Sequence, residues 1–562
     1  MTARRRRTLA SLVGAALSLA LAGCVGLPTS GPVGTGNGAA DEPGTVFPLA
    51  YSPAAGADPQ SIVQGFLAAG AAGLVDNFAV ARQYLAGEAR STWQPTDGVV
   101  VYSIAGTLNF QEVSKNQISV RLPVVATVDA DGRYTEASPA AFQDAVFDLV
   151  KSTGDQWRIS RLDNGVLLSE PIFYSVYRPT SLYFLTLARD MLVPEVRWFP
   201  QRNAATYAVR ALLEGPSPWL RDAVTTAFPD GTRLAVDSVP VDSDGTATVD
   251  LTTAVASASS TDRGLLKAQL AQVLQLTRVR TVDVTIAGLP MVDPPVTILA
   301  HDPAPSGGLV VLSNGALDRF AGSEPKPIDG VGALAGLDAR YPAAGPSGTP
   351  LVLLSGPDTL VLAPTATVAA RTLLSGPALI APSVDRQGWV WSGPSTGVAS
   401  LAAVRADGTL VSVSIPWLEG RSVRSMRVSR DGSRIAVVSS GADGTTVDVA
   451  GIVRDDSGAP QRVGDRMRVG TRLTDADAVS WVDESTLAVL GTSGTMVSAT
   501  MHLVPITGRT RALPALENAS SIATGKGERE LYVGTVEGNL YTLQGASWVE
   551  VASGVSYQSY AG

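Results

Sequence analysis

One cysteine and two histidines are all that 562 residues supply of these side chains. A single thiol excludes a disulfide within the chain. His301 and His502 are too few for a histidine-based metal cluster, and a Ser–His–Asp arrangement would have to use one of these two. Charge is also sparse: charged residues make up 17% and aromatics 6%. The formal net charge is −8 and no basic stripe is present, which argues against nucleic acid as a partner. Nor does any apolar run reach the roughly 20 residues that span a bilayer. What the chain has instead is 56 glycines, 36 prolines and an abundance of Ala, Val, Leu, Ser and Thr. That composition suits a β-rich fold with many turns.

The lone cysteine has an informative position. Residues 4–7 are all arginine, and residues 8–22 carry no charge. A basic stretch followed by a short apolar one is the pattern of a secretory leader. The leader ends Leu21-Ala22-Gly23-Cys24, which resembles the bacterial lipobox. The resemblance implies that residues 1–23 are a lipoprotein signal peptide and that Cys24 is the lipidation site. Its thiol would take up diacylglycerol, the chain would be cut before it, and the new amino terminus would be acylated. Each buried CH2 of lipid adds about 0.8 kcal/mol, and two or more chains hold a protein stably. Subtracting the four leader arginines from −8 leaves a mature charge near −12. Residues 24–57, including "GPVGTGNGAADEPG", have almost no apolar pattern and read as a disordered tether. The glycines at 34, 36 and 38 have no strand before them and no helix after, so a phosphate loop is not supported.

Residues 58–179 read as an α+β domain. Asp58 suits a helix N-cap and Pro59 the first helical position. Ile62, Val63, Phe66 and Leu67 then share one face, and Phe78, Ala81 and Leu85 mark a second helical stretch. After Pro95 the period becomes two, with Asp131-Gly132 and Gly154-Asp155 as turns. Helices followed by an antiparallel sheet resemble cone-shaped domains in which a curved sheet wraps a helix. Trp93, Tyr102, Phe110 and Trp157 either line a pocket in that cone or fill its core, and the core is the favoured expectation.

Residues 180–302 read as a second α+β domain. A strand pair over "SLYFLTLARDMLVPEVRWFP" precedes a helix over "NAATYAVRALLE", which Asn203 can cap and Gly215-Pro216 stops. A second amphipathic helix carries Leu266, Leu270, Val273 and Leu274 inward. The motifs "ALLEGP" at 211–216, "AFPDGTRL" at 227–234, "ATVDLT" at 247–252 and "AQLAQVL" at 268–274 resemble the GerMN (sporulation and germination) domain. The resemblance implies an envelope module that binds partners or wall components, with no catalytic set.

In residues 303–562 a phrase recurs: "SVDRQGWVWSG", "VSRDGSRIAVVSS", "SWVDESTLAVLGT" and "ATGKGERELYVGT", with a degenerate copy from Ala335. Its aspartates Asp385, Asp431 and Asp483 are spaced by about 50 residues, a period that signals propeller blades. One blade cannot bury both its faces, so blades pack around a ring. Five phrases predict five or six blades. "GLVVLSNGALDRF" lacks a phrase of its own and is expected to complete the final blade beside "NLYTLQGASWVEV". Trp389, Trp391 and Trp481 are expected in blade cores.

No catalytic set emerges. Gly393-Pro394-Ser395-Thr396-Gly397 fits the G-x-S-x-G pattern, but that elbow needs a strand before and a helix after. Asp129-Ala130-Asp131-Gly132 and Asp242-Ser243-Asp244-Gly245 lack the later ligands of a calcium loop and read as hairpin turns. No metal site, cofactor or catalytic residue is assigned, and ligand-binding residues are unknown.

The mature start "CVGLPTSGPV", the run "LVPEVRWFP" and the GerMN motifs together resemble the LpqB lipoproteins of actinobacteria over nearly the whole chain. The resemblance implies a membrane-anchored, extracytoplasmic accessory of the MtrA–MtrB two-component system. It would contact the sensor domain of the histidine kinase MtrB, modulate phosphorylation of MtrA, and so affect cell-wall homeostasis and division. Only Cys24 carries over as a named residue. The alternative expectation is an envelope protein that binds cell-wall glycan or peptide, and an envelope hydrolase ranks last.

Overall fold

A computed structural model describes residues 49–561 except 153, 276–278, 293–296, 323, 398 and 495–497. Cys24, the leader and most of the tether lie outside the described residues.

In the first domain α1 (Pro59–Asp76) starts where Asp58 accepts a 2.8 Å hydrogen bond from the Ser61 amide and Pro59 needs no partner. It ends at Asn77, which turns left-handed at φ 54° and returns its N–H to the Gly73 carbonyl. Gly73 is required there, because a Cβ would lie 2.0 Å from the Phe78 ring. The expected second helix is only a 3-10 turn (Ala81–Tyr84) and the single turn α2 (Ala89–Thr92).

The sheet runs, in spatial order, Gln156–Arg161, Phe142–Ser152, Gln117–Asp129, Gly98–Tyr102 and Val166–Ser169. The last pair is parallel and the others antiparallel. Helix α1 packs against the sheet with Ile62, Val63, Phe66 and Leu67 buried. The end of the expected tether also lies against this domain. The Tyr51 carbonyl accepts from the Tyr84 hydroxyl at 2.8 Å, and the Gly56 amide donates to Gln156 Oε1 at 2.8 Å.

After α3 (Glu170–Val176) the second domain opens with the antiparallel strands Tyr177–Thr186 and Leu192–Pro200, so the expected 179/180 boundary falls inside a strand. Helix α4 (Ala204–Glu214) begins at Asn203, whose side chain makes no capping bond. Asn203 instead adopts φ 60°, a left-handed conformation that asparagine tolerates better than most residues. Helix α5 (Ser260–Leu274) is capped by Ser259 and buries Leu266, Leu270, Val273 and Leu274. It connects Thr246–Leu251 to Thr281–Ile286, which pair in parallel, as a helical crossover allows.

The third domain contains four four-stranded sheets and one eight-stranded sheet. The eight-stranded sheet is two blades whose outer strands meet at one bridge, Ser414 to Arg462, giving six blades. The innermost strands pack in a closed circuit: Val555–Ser559, Ala339–Ala344, Ser383–Val384, Ser422–Val428, Leu473–Trp481, Ala519–Thr524 and back to the first. Closure differs from the sequence expectation. Leu309–Ser313 pairs with the C-terminal strand Val555–Ser559, while residues 540–552 belong to a complete blade of their own. The ring is thus locked by joining the last strand of the domain to its first hairpin.

The recurring aspartate holds the turn after each of three innermost strands. Asp385 Oδ1 accepts from the amides of Gln387 and Trp389, Asp431 Oδ1 from Ser433, and Asp483 Oδ1 from Ser485. Trp389, Trp391 and Trp481 are buried in the blade cores.

Candidate functional sites at the domain seam and in the propeller channel

The three domains form one compact unit, and the strand Leu192–Pro200, which carries "LVPEVRWFP", is their junction. Trp198 stacks on Tyr134 of the first domain at 5.4 Å and gives its indole N–H to the Thr507 carbonyl of the propeller at 2.8 Å. Its amide donates to the Gly132 carbonyl at 2.7 Å. On the same strand Arg197 Nε donates to Glu195 Oε1 at 2.9 Å, with both side chains at most 3% exposed. Glu195 also accepts from the amide and hydroxyl of Ser217, and the Ser217 oxygen accepts from Arg133 Nε of the first domain. A buried ion pair offsets the desolvation of its two charges only when its geometry is good and its remaining lone pairs are satisfied.

Further contacts extend the seam. Glu136 of the first domain accepts from the amide (2.8 Å) and hydroxyl (2.6 Å) of Thr510. Burial pushes its carboxyl up, against the opposing pull of those Thr510 bonds. The Tyr183 hydroxyl donates to Glu484 Oε1 at 2.6 Å, and His301 Nδ1 lies 3.1 Å from Glu484 Oε2. Arg386 forms two bonds with Asp190 at 2.9 and 3.0 Å. The Gly451 amide donates to the Trp219 carbonyl at 3.0 Å, an approach that leaves no room for a Cβ. His301, placed by sequence in a linker, is therefore part of the seam.

The candidate chemical motifs have structural employment. His502 sits in a strand with Nδ1 3.0 Å from the Thr500 carbonyl and Nε2 2.9 Å from Ser493 Oγ, and burial pushes its pKa down. The 393–397 motif lies in a loop between Val390–Ser392 and Ser400–Val404, with no helix after it. Asp129 and Asp242 each spend Oδ1 on two backbone amides of their own turns. Of the four aromatics considered for a cone pocket, Trp93 borders a cavity of about 50 Å³. Trp93 itself is core, edge-on to Phe66 at 5.2 Å and Phe78 at 5.8 Å. Tyr102, Phe110 and Trp157 pack half-buried against the same core.

The larger cavity is the propeller channel, about 370 Å³, lined by the innermost strands. This is within the usual size of small-ligand sites, about 300–1,000 Å³. At the level of Tyr341 and Tyr557 the ring centroids are 4.5 Å apart. Arg340 and Arg424 are there too, paired with Asp338 and with Asp475 and Asp477. Sequence reasoning missed these residues, because a polar side chain in an innermost strand alternates just as a solvent-facing one does.

Comparison with known proteins agrees with this architecture. Residues 52–174 match the family described as "Lipoprotein LpqB, N-terminal domain", residues 181–292 "Sporulation and spore germination", and residues 315–559 "Lipoprotein LpqB beta-propeller domain". Lipoprotein LpqB of Thermobifida fusca is 29% identical, with 87% of this chain and 88% of that protein covered. The Streptomyces coelicolor protein of the same name is 27% identical over 98% of both. Among solved structures, the first GerMN domain of the Bacillus subtilis sporulation protein GerM is 20% identical, with a TM-score of 0.18, covering 22% of this chain and 92% of that one. The family models and the curated lipoprotein relatives define a membrane-anchored envelope lipoprotein that joins an N-terminal domain, a GerMN domain and a β-propeller. The chain belongs to the LpqB family of lipoproteins, which is not a known enzyme family.

Proposed function

We propose that this protein is an extracytoplasmic accessory of a sensor histidine kinase of the MtrB type, anchored through lipid on Cys24, and that its output is contact rather than bond-making. The observation that supports the reading is the welded seam. Glu195, Arg197 and Trp198 join three domains, so a contact made by one domain repositions the whole body. Confinement to a membrane raises the effective concentration of a neighbouring membrane protein, so a weak contact suffices. A rigid partner that binds one conformation of the kinase better than another shifts the population between them. Crosslinking in intact cells tests this. The kinase sensor domain is expected in adducts of the native protein and strongly reduced in Cys24→Ala. An adduct yield unaffected by Cys24→Ala would refute the role of the anchor, and absence of any kinase adduct would refute the partner.

A further inference from the structure

We propose that the propeller channel binds a carboxylate-bearing small ligand, with Arg427 and Gln558 receiving the anion at its inner end and Tyr341 and Tyr557 flanking the uncharged part at its mouth. Three separate observations lead there.

The first is charge. Arg427 projects from the innermost strand Ser422–Val428 into the channel and has no carboxylate partner among the described residues; its guanidinium donates to the neighbouring Met426 carbonyl at 2.8 Å. Every other arginine of the channel is matched, Arg340 with Asp338 and Arg424 with Asp475 and Asp477. One uncompensated cation in a confined cavity is costly unless an anion reaches it. Burial alone pushes Arg427 down to about 10, so it keeps its proton at neutral pH.

The second is an unspent donor. Gln558 is 5% exposed and its Oε1 accepts from the Ser521 hydroxyl at 3.0 Å, while Nε2 has no hydrogen-bond partner among the described residues. Buried donors are seldom left unpaired. The amide lies against Gly534, where a Cβ would come within 2.8 Å of Nε2. Arg427 and Gln558 both border the channel and an adjoining cavity of about 20 Å³, which Arg430 also lines. Arg430 is occupied there by the carbonyls of Trp481, Thr524 and Gly525.

The third is strain at the mouth. Tyr341 and Tyr557 have φ of 46° and 51°. Bulky residues rarely adopt the left-handed region, and such strain collects at binding sites. The two rings present an aromatic wall suited to a sugar or a peptide backbone.

A single positive charge matches a monoanion, and the test uses two matched probe pairs on the full-length lipidated protein in detergent. N-acetylmuramic acid is compared with N-acetylglucosamine, and N-acetyl-D-alanyl-D-alanine with its C-terminal amide, by calorimetry. The acid of at least one pair is expected to bind about tenfold or more tightly than its neutral partner, as a charge-assisted hydrogen bond would give. The pair that discriminates identifies sugar or peptide as the source of the carboxylate. Arg427→Gln should abolish the preference, Arg427→Lys should retain most of it, and Gln558→Met should weaken the acid severalfold. Equal binding of acid and neutral probes, no binding of any, an unchanged preference in Arg427→Gln, or inorganic phosphate outcompeting both acids would each overturn the proposal.

Discussion

Arg434 and Arg427 lie on paired strands of one blade and lead opposite lives. Arg434 is 1% exposed, bonded to Asp431 and to the Glu484 carbonyl, and set over the Trp481 ring at 5.0 Å. Arg427 borders the channel with one backbone carbonyl for company. The first is fixed by its surroundings and serves the seam. The second is left uncommitted by its surroundings. Within this fold, the degree to which a cation is already satisfied separates what holds the molecule together from what remains available to a ligand.

The sharpest way to break that contrast is to remove a partner on the structural side. Asp431→Ala leaves Arg434 buried without its carboxylate, and a loss of about 3–5 kcal/mol is expected in denaturant unfolding. The same pair sets a pH dependence. Burial pushes the Asp431 carboxyl up, but the Arg434 charge and hydrogen bonds from Arg434, Ser433 and Ser429 outweigh it and hold it below its ordinary value. A depressed carboxylate gives stability that is present above the unfolded pKa of about 3.9 and lost as pH falls through the folded one. Glu136, whose pKa is raised, contributes with the opposite sign. Asp431→Asn should therefore flatten the acid limb of the stability profile, and an unchanged limb would place the acid sensitivity elsewhere.

Trp198→Ala addresses the junction. Removing a large buried aromatic costs about 3–5 kcal/mol, and here it also deletes the stacking with Tyr134 and the bond to Thr507. Calorimetry is expected to show one cooperative transition for the native protein and separate ones for the variant as the domains uncouple. A variant that still melts in one step would show that the remaining seam contacts suffice for cooperativity. A smaller effect follows from Gly451→Ala, whose new methyl would meet Ala223 Cβ at 2.6 Å. Overpacking of this kind costs about 1–3 kcal/mol, and increased proteolysis near Trp219 is the expected readout.

The parts of this architecture that could be read from sequence are those written in local patterns. Asp385, Asp431 and Asp483 recur because each closes a turn within its own blade, so the repeat announces itself. The closing strand Val555–Ser559 does not, because its partner Leu309–Ser313 lies at the far end of the domain and neither carries the phrase. Asn203 misleads because a cap and a left-handed residue call for the same amino acid. The seam was legible only as the motif "LVPEVRWFP", without its meaning: Glu136 meets Thr510, and Trp198 meets Thr507, across hundreds of residues. The channel residues were hidden for another reason. A bulge between Val423 and Ser425 shifts the alternation of the innermost strand, so the direction of Arg427 is set by three-dimensional register and not by period.

The smallest expected effect is the one that decides the contrast. Arg427→Gln removes a cation that no carboxylate stabilises and one bond to the Met426 carbonyl, so unfolding free energy should change by no more than about 1 kcal/mol in either direction, the net worth of a single hydrogen bond. A gain is the more informative result, since relieving an uncompensated charge favours the folded state. The variant should therefore unfold like the native protein while differing from it in carboxylate binding. A loss as large as that of Asp431→Ala would mean that Arg427 is bound into the blade as firmly as Arg434, and the distinction between a committed and an uncommitted cation would fail at the position where it was drawn.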